Sequence, residues 1–200
     1  MGNKNVTRLV VIAMMAAISY VLLLFSFPVL PGFSFLKIDF ANVPILITML
    51  IYGPGAGIAT TAIAGLLDVV TKDSSLVGII GIVANFLATM CFALPIYYAV
   101  KKHVGEKLSR QVRYVIQGIV VGTLLMAVFM SLANLFVLLP LYFKLVSFQI
   151  NLSTLKMVLY GVLPFNIIKG VIVGIAVGII YARMVPWLQT RFQVTRQARR

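Results

Sequence analysis

Four polar side chains stand inside long apolar stretches of this sequence: Asn85, Asn134, Asn166 and Lys169. An ionisable residue within a membrane-length apolar run is costly, and it is a functional-site hypothesis by default. Asn166 and Lys169 are three apart and share a helix face. Pro164, just before them, has no N–H and obstructs the carbonyl of Tyr160, which loosens the helix one turn earlier. A side-chain amide offers both donors and acceptors. Three amides and one ammonium therefore suit a ligand with amide-like edges better than a bare ion. Each residue also has a plainer use. A single Asn can bond a neighbouring helix, and Lys169 can pair internally or snorkel. Snorkelling outward is difficult, because Lys169 lies about 20 Å along the helix from Lys156.

The surrounding composition says what must hold these groups. The chain has 200 residues, 62% hydrophobic and 10% charged, with mean hydropathy +1.07. Soluble domains carry about 25% charged residues, so this is a membrane protein, one transmembrane domain over residues 1–200. The net charge of +13 does not indicate nucleic acid, because the basic residues lie mostly between apolar runs, in the positive-inside pattern. The single cysteine, Cys91, excludes an intrachain disulfide. No phosphate-cradling Gly-x-x-x-x-Gly-Lys-[Ser/Thr] loop is present, so the chain does not hydrolyse ATP. Asp39, Asp68, Asp73, Glu106 and His103 are scattered. They propose no metal site and no nucleophile–base pair, which argues against an enzyme.

The apolar runs predict an all-α bundle of six transmembrane helices near residues 6–27, 42–52, 56–70, 76–100, 114–139 and 156–183. The first run is too long for a signal-peptide core and is read as a retained helix. Its Ala13 and Ala17 are four apart, a spacing that admits another helix closely. Whether that helix belongs to this chain or to a partner is open. Residues 28–41 form the first loop, in which apolar residues alternate with Lys37 and Asp39. This pattern suggests an extended, folded-back segment, either a lid or an interfacial loop with aromatic anchors. Gly53-Pro54-Gly55 favours a turn between two short helices over one kinked helix. With six spans and both termini cytoplasmic, twelve basic residues fall inside and four outside. The five-span alternative gives eleven and five, so charge prefers six spans only slightly. Pro140 is expected to stop the fifth helix, and 141–154 to form a semi-apolar outer loop. Gly170, Gly174 and Gly178 form a close-packing stripe below Lys169. In the six-span arrangement Asn85, Asn134 and Asn166 lie about 13, 8 and 15 Å below the outer surface. That depth suggests a cavity open outward and closed inward.

Phe35-Leu36-Lys37-Ile38-Asp39-Phe40, Pro44, the Gly53-Pro54-Gly55 break and Pro164-Phe165-Asn166 with Lys169 together resemble the riboflavin-specific substrate-binding components of energy-coupling factor (ECF) transporters. The similarity runs through essentially the whole chain. It implies a multi-pass protein of the bacterial plasma membrane, with no cofactor, that takes up riboflavin as ligand. It also implies a separate transmembrane coupling subunit and two ATPase subunits as partners. Asn134, Asn166 and Lys169 match positions that hydrogen-bond flavin in the family, and the resemblance implies a pocket near the outer face formed by the first loop and helices four to six; Asn85 of the fourth helix is expected to join the site, and Leu36, Asp39 and Phe40 would cover the ligand. Ala13 and Ala17 fit the family's docking surface for the coupling subunit. Flavin chemistry agrees, since the ring has a uracil-like edge for amides and a face that Phe33, Phe35 or Phe40 could cover. A component for another vitamin, or a membrane scaffold whose polar residues only join helices, is the competing reading.

Overall fold

The computed structural model describes residues 2–33, 35–72, 74–145 and 153–197, with side chains between 5 and 184. Residues 146–152, half of the outer loop expected at 141–154, and Arg199 and Arg200 lie outside that description. The described chain is helical apart from one short strand pair. Helix α1 (Gly2–Leu24) is followed by β1 (Phe27–Pro28) and β2 (Lys37–Ile38), then α2 (Asn42–Tyr52), α3 (Pro54–Thr71) and α4 (Leu76–Lys101). Helix α5 (Leu108–Ala133) runs through a π turn (Asn134–Leu138) into α6 (Leu139–Leu145). Helix α7 (Thr154–Met157) runs through a second π turn (Val158–Val162) into α8 (Leu163–Gln197).

Among the described residues, five helical stretches are long and apolar enough to cross a membrane: Asn5–Leu24, Pro54–Thr71, Leu76–Lys101, Leu108–Leu145 and Thr154–Met184. Helix α2 is apolar but only 11 residues long, about 16 Å at the helical rise. Their outward faces carry Leu66, Leu124, Phe136 and Ile175, all of them apolar and more than half exposed. Such a continuous apolar surface belongs in lipid.

The Gly-Pro-Gly segment makes a sharp break. Gly53 takes φ +89°, a value that glycine reaches at no steric cost. Pro54 occupies the first turn of α3, where its missing N–H costs nothing. Helix α3 then folds back on α2 so closely that a Cβ on Gly57 would lie 2.7 Å from Met49 Cε.

Helix α4 packs on α5, and α5 packs on α8. Glycines set both approaches. A Cβ on Gly118 would lie 2.7 Å from Ile96 Cα, and one on Gly122 would lie 2.5 Å from Phe92 O. On α8, Gly170 faces Thr123 and Gly174 faces Ile119, so the glycine stripe read from the sequence is the α8–α5 contact. The core between these helices includes Leu46, Met49, Phe92, Ile96, Met126 and Val173. A smaller apolar cluster of Phe33, Leu139, Met157, Val158 and Val162 lies beneath the first loop.

Three helix ends differ from expectation. Pro140 does not stop the fifth helix. Pro140 and Pro164 each follow a π turn by two residues. Proline repels the carbonyl four residues back, and a widened turn relieves that clash while the helix continues. The fifth helix begins at Leu108 rather than near Tyr114, because Glu106 pairs with His103 and Arg110 around a tight connection. The last helix continues past Arg183 to Gln197. At this end of the bundle Tyr181 Oη donates to Gln111 Oε1 at 2.8 Å, and Gln111 Nε2 donates to Glu106 O at 2.7 Å. These buried bonds tie α8 to α5 and close the bundle opposite the site described next.

Candidate functional site

A cavity of about 270 Å³ opens among α1, the first loop and helices α3, α4, α5 and α8. The volume sits near the lower end of ordinary small-molecule pockets. Its polar wall is made by residues far apart in sequence. Lys169 Nζ, on α8, lies 3.1 Å from Asp39 Oδ2 on the first loop and 3.1 Å from Asn85 Oδ1 on α4. Lys169 and Asp39 are each only 4% exposed. The other Asp39 oxygen accepts from Ala41 N at 3.0 Å. One ammonium therefore joins the loop to two helices, and both members of a buried ion pair have further hydrogen-bond partners, as such a pair requires.

The two deep amides are positioned by their own helices. Asn134 Nδ2 donates to Met130 O, and Asn166 Nδ2 donates to Val162 O, both at 2.8 Å. Asn134 opens the first π turn, and Val162 closes the second. Each bond fixes an amide plane and leaves the side-chain oxygen as an acceptor. Among the described residues neither oxygen meets a donor, while both residues line the cavity. π turns inside α-helices recur at functional sites, and here both lie beside the polar wall.

The first loop closes over this space. Phe27 pairs with Ile38 and Pro28 with Lys37 in a short antiparallel ladder, so the alternation in the sequence corresponds to a folded-back segment. Phe35, Leu36 and Asp39 line the cavity. Phe33 turns away into the cluster on Val158 and Val162, packs against Gly161, and meets Phe35 edge-on at 6.0 Å.

A family model described as the ECF transporter substrate-specific component matches residues 7–181. The chain belongs to this family. It is 38% identical over 188 residues to the riboflavin transporter FmnP of Bacillus subtilis, covering 92% of this chain and 95% of that protein. It is 35% identical over 185 residues to the riboflavin transporter RibU of Staphylococcus aureus, covering 91% and 92%. A solved structure, described as the S component of a bacterial ECF transporter, superposes with TM-score 0.74 at 32% identity, covering 92% of this chain and 98% of that one.

For this ECF substrate-specific component, the cavity brings together six of the seven residues expected at a ligand site: Leu36, Asp39, Asn85, Asn134, Asn166 and Lys169. Phe40 is half-buried and stands outside the cavity wall. Among the wall residues that sequence reasoning passed over are Asp68 of α3, Lys72 just beyond its end, and Tyr142 of α6. Asp68 and Lys72 read as an ordinary solvated helix end. Their ion pair is 3.0 Å long, and Lys72 Nζ also donates to Leu23 O at 3.1 Å. Ala13 and Ala17 are exposed on α1, while Ala16 between them is fully buried.

Proposed function

We propose that this protein binds riboflavin in the cavity beneath its first loop and serves as the riboflavin-specific subunit of an ECF transporter. The observation that carries this is the meeting in one cavity of the Lys169 ammonium and two amide oxygens that have no donor among the described residues. The riboflavin transporters of similar sequence support the choice of vitamin. The ring of riboflavin carries a carbonyl–N–H–carbonyl edge. Asn134 and Asn166 offer acceptors and a second N–H to that edge, and Lys169 offers a donor. Apolar side chains such as Phe35, Leu36 and Phe165 enclose the rest of the ring.

In this reading six helices span the membrane, with α2 as the short one and both termini cytoplasmic. The cavity faces outward, and the Tyr181–Gln111 end faces inward. The first loop acts as the lid. Net uptake requires a transmembrane coupling subunit and two ATPase subunits, and proceeds by reorientation of the loaded protein in the bilayer. The exposed Ala13–Ala17 face of α1 supports docking of the coupling subunit, since small residues let a second helix approach. Ala13→Trp or Ala17→Trp is expected to lower coupled riboflavin uptake at least about tenfold while leaving binding by the isolated subunit intact. Unchanged uptake in assembled complexes would remove that surface from the docking site.

A scaffold role draws on one specific observation, the internal bonds of Lys169. It predicts no bound vitamin. The absorption spectrum of the detergent-purified protein separates the readings: flavin bands, or their appearance after incubation with riboflavin and desalting, support binding, and their absence at saturating vitamin refutes it.

A further inference from the structure

The end of the first loop is gripped by two hydroxyl groups that do not line the cavity. Thr89 Oγ1, on α4, donates to Asn42 Oδ1 at 2.9 Å, and Ser19 Oγ, on α1, donates to Ala41 O at 3.3 Å. All four residues are at most 1% exposed, and neither Ser19 nor Thr89 reaches the cavity wall. A threonine within a helix commonly returns its proton to the carbonyl four residues back. Thr48, Thr60, Thr61 and Thr71 all do so. Thr89 and Ser19 instead direct theirs to the two residues at which the loop becomes α2. That junction adjoins the polar wall. Asp39 Oδ1 accepts from Ala41 N, and Asp39 Oδ2 takes Lys169. Asn85 and Thr89 are four apart on one face of α4, so α4 touches Lys169 through the first and the loop end through the second. We propose that Ser19 and Thr89 are positioning residues: they fix the loop's last turn, residues 39–42, and through it hold the Asp39 carboxylate where it aims Lys169 at the ligand. The effect on the ligand rests on the riboflavin reading, while the anchoring of the loop stands apart from it.

The need for such anchors follows from what else holds the loop. Its ladder has two residues on each strand. Pro31 and Gly32 are exposed, and Phe33 is held by apolar contact, which is non-directional. The ion pair does not define a position either, because a lysine ammonium sits on a flexible stem and rotates its three donors. A hydrogen bond of 2.9 Å constrains both distance and direction. Asp39 is therefore placed by the turn that carries it, and the turn by Thr89 and Ser19. Removing the Thr89 hydroxyl takes the α4 donor away from Asn42 Oδ1 inside the bundle, where an unmet acceptor is costly. The turn relieves that cost by shifting toward water, and Asp39 moves with it. Lys169 then follows Asp39 or loses it, and in both cases the ammonium leaves its place beside the ligand. Such a change acts on how long riboflavin stays, more than on how fast it arrives.

Two measurements on the detergent-purified full chain test this. The first is the rate of riboflavin association and dissociation, followed by flavin fluorescence. Thr89→Val, which keeps the shape and removes the hydroxyl, is expected to raise the dissociation rate at least about fivefold and to change association less than about twofold. Ser19→Ala is expected to act in the same direction and serves alone should Thr89→Val not fold. Thr89→Ser keeps the hydroxyl and is expected to restore slow dissociation. Placed in the Asp39→Asn/Lys169→Met background, Thr89→Val or Ser19→Ala should add less than about twofold, because the pair it positions is gone. The second measurement is amide hydrogen exchange of the empty protein, in which the segment 38–43 should exchange at least about tenfold faster in Thr89→Val or Ser19→Ala while α5 is unchanged. Unaltered dissociation in both single variants would overturn the proposal, as would an equal effect in the two backgrounds or unaltered exchange at 38–43. A folded wild type that does not bind riboflavin would refute the riboflavin reading, and the exchange measurement would still decide whether Ser19 and Thr89 anchor the loop.

Discussion

Lys169→Met is expected to lower both riboflavin affinity and the stability of the empty protein. The substitution removes a donor from the cavity and leaves the Asp39 carboxylate buried, 4% exposed, with no cation beside it. Breaking a buried pair by deleting one partner costs about 3–5 kcal/mol. The loss of a charge-assisted hydrogen bond to the ligand costs about 1.5–3 kcal/mol, or roughly 10- to 150-fold in Kd. The two effects separate in the double variant Asp39→Asn/Lys169→Met. Exchanging both members of a buried pair is often nearly neutral for stability, so thermal unfolding should recover while riboflavin affinity stays low. Recovery of both would place Lys169 in a purely structural role. Loss of neither in the single variant would show that the ion pair matters little to fold or ligand.

Gly122→Ala is expected to be the most disruptive of the conservative changes in the bundle. The new methyl would lie 2.5 Å from Phe92 O and 3.3 Å from Phe92 C. Those are backbone atoms of α4, which have no rotamer by which to withdraw. Helices α4 and α5 must separate, and overpacking of this kind costs about 1–3 kcal/mol. For a chain of this size each kcal/mol corresponds to about 2–4 °C in Tm. Gly55→Ala on α3 is the matched control, because nothing lies within 4 Å of its Cβ position and alanine is the better helix former. Thermal unfolding in detergent should show a clear fall for the first variant and none for the second. Equal behaviour would mean that α4 and α5 are less closely packed than their glycines imply.

Much of this arrangement was legible in the sequence, for a physical reason. In a chain that is 62% hydrophobic, a buried polar residue stands out against its surroundings. Asn134, Asn166 and Lys169 could therefore be singled out before any coordinates. The first loop was legible through alternation, and the α8–α5 contact through glycines spaced four apart. Pairings across the fold were not legible. The sequence left Lys169 with two uses, ligand contact or internal pairing, and nothing local linked it to Asp39, 130 residues away. Asp68 and Lys72 were hidden because an i,i+4 ion pair at a helix end has the same sequence signature in water as at a cavity wall. The length of the fifth helix was misjudged at Pro140, since proline reads as a stop unless the preceding turn widens. Phe40 was expected at the ligand through the family likeness, yet Leu36 and Asp39 of the same loop reach the cavity without it.

These residues bear on function through one claim, that the buried amides and ammonium surround a vitamin instead of merely joining helices. Equilibrium titration of the detergent-purified wild-type chain with riboflavin, read by quenching of flavin fluorescence, addresses it most directly. Saturable binding to one site per chain, weakened by Lys169→Met and by Asn134→Ala, is the expected result. Absence of saturable quenching by a folded wild-type protein, or identical affinity in both variants, would contradict it.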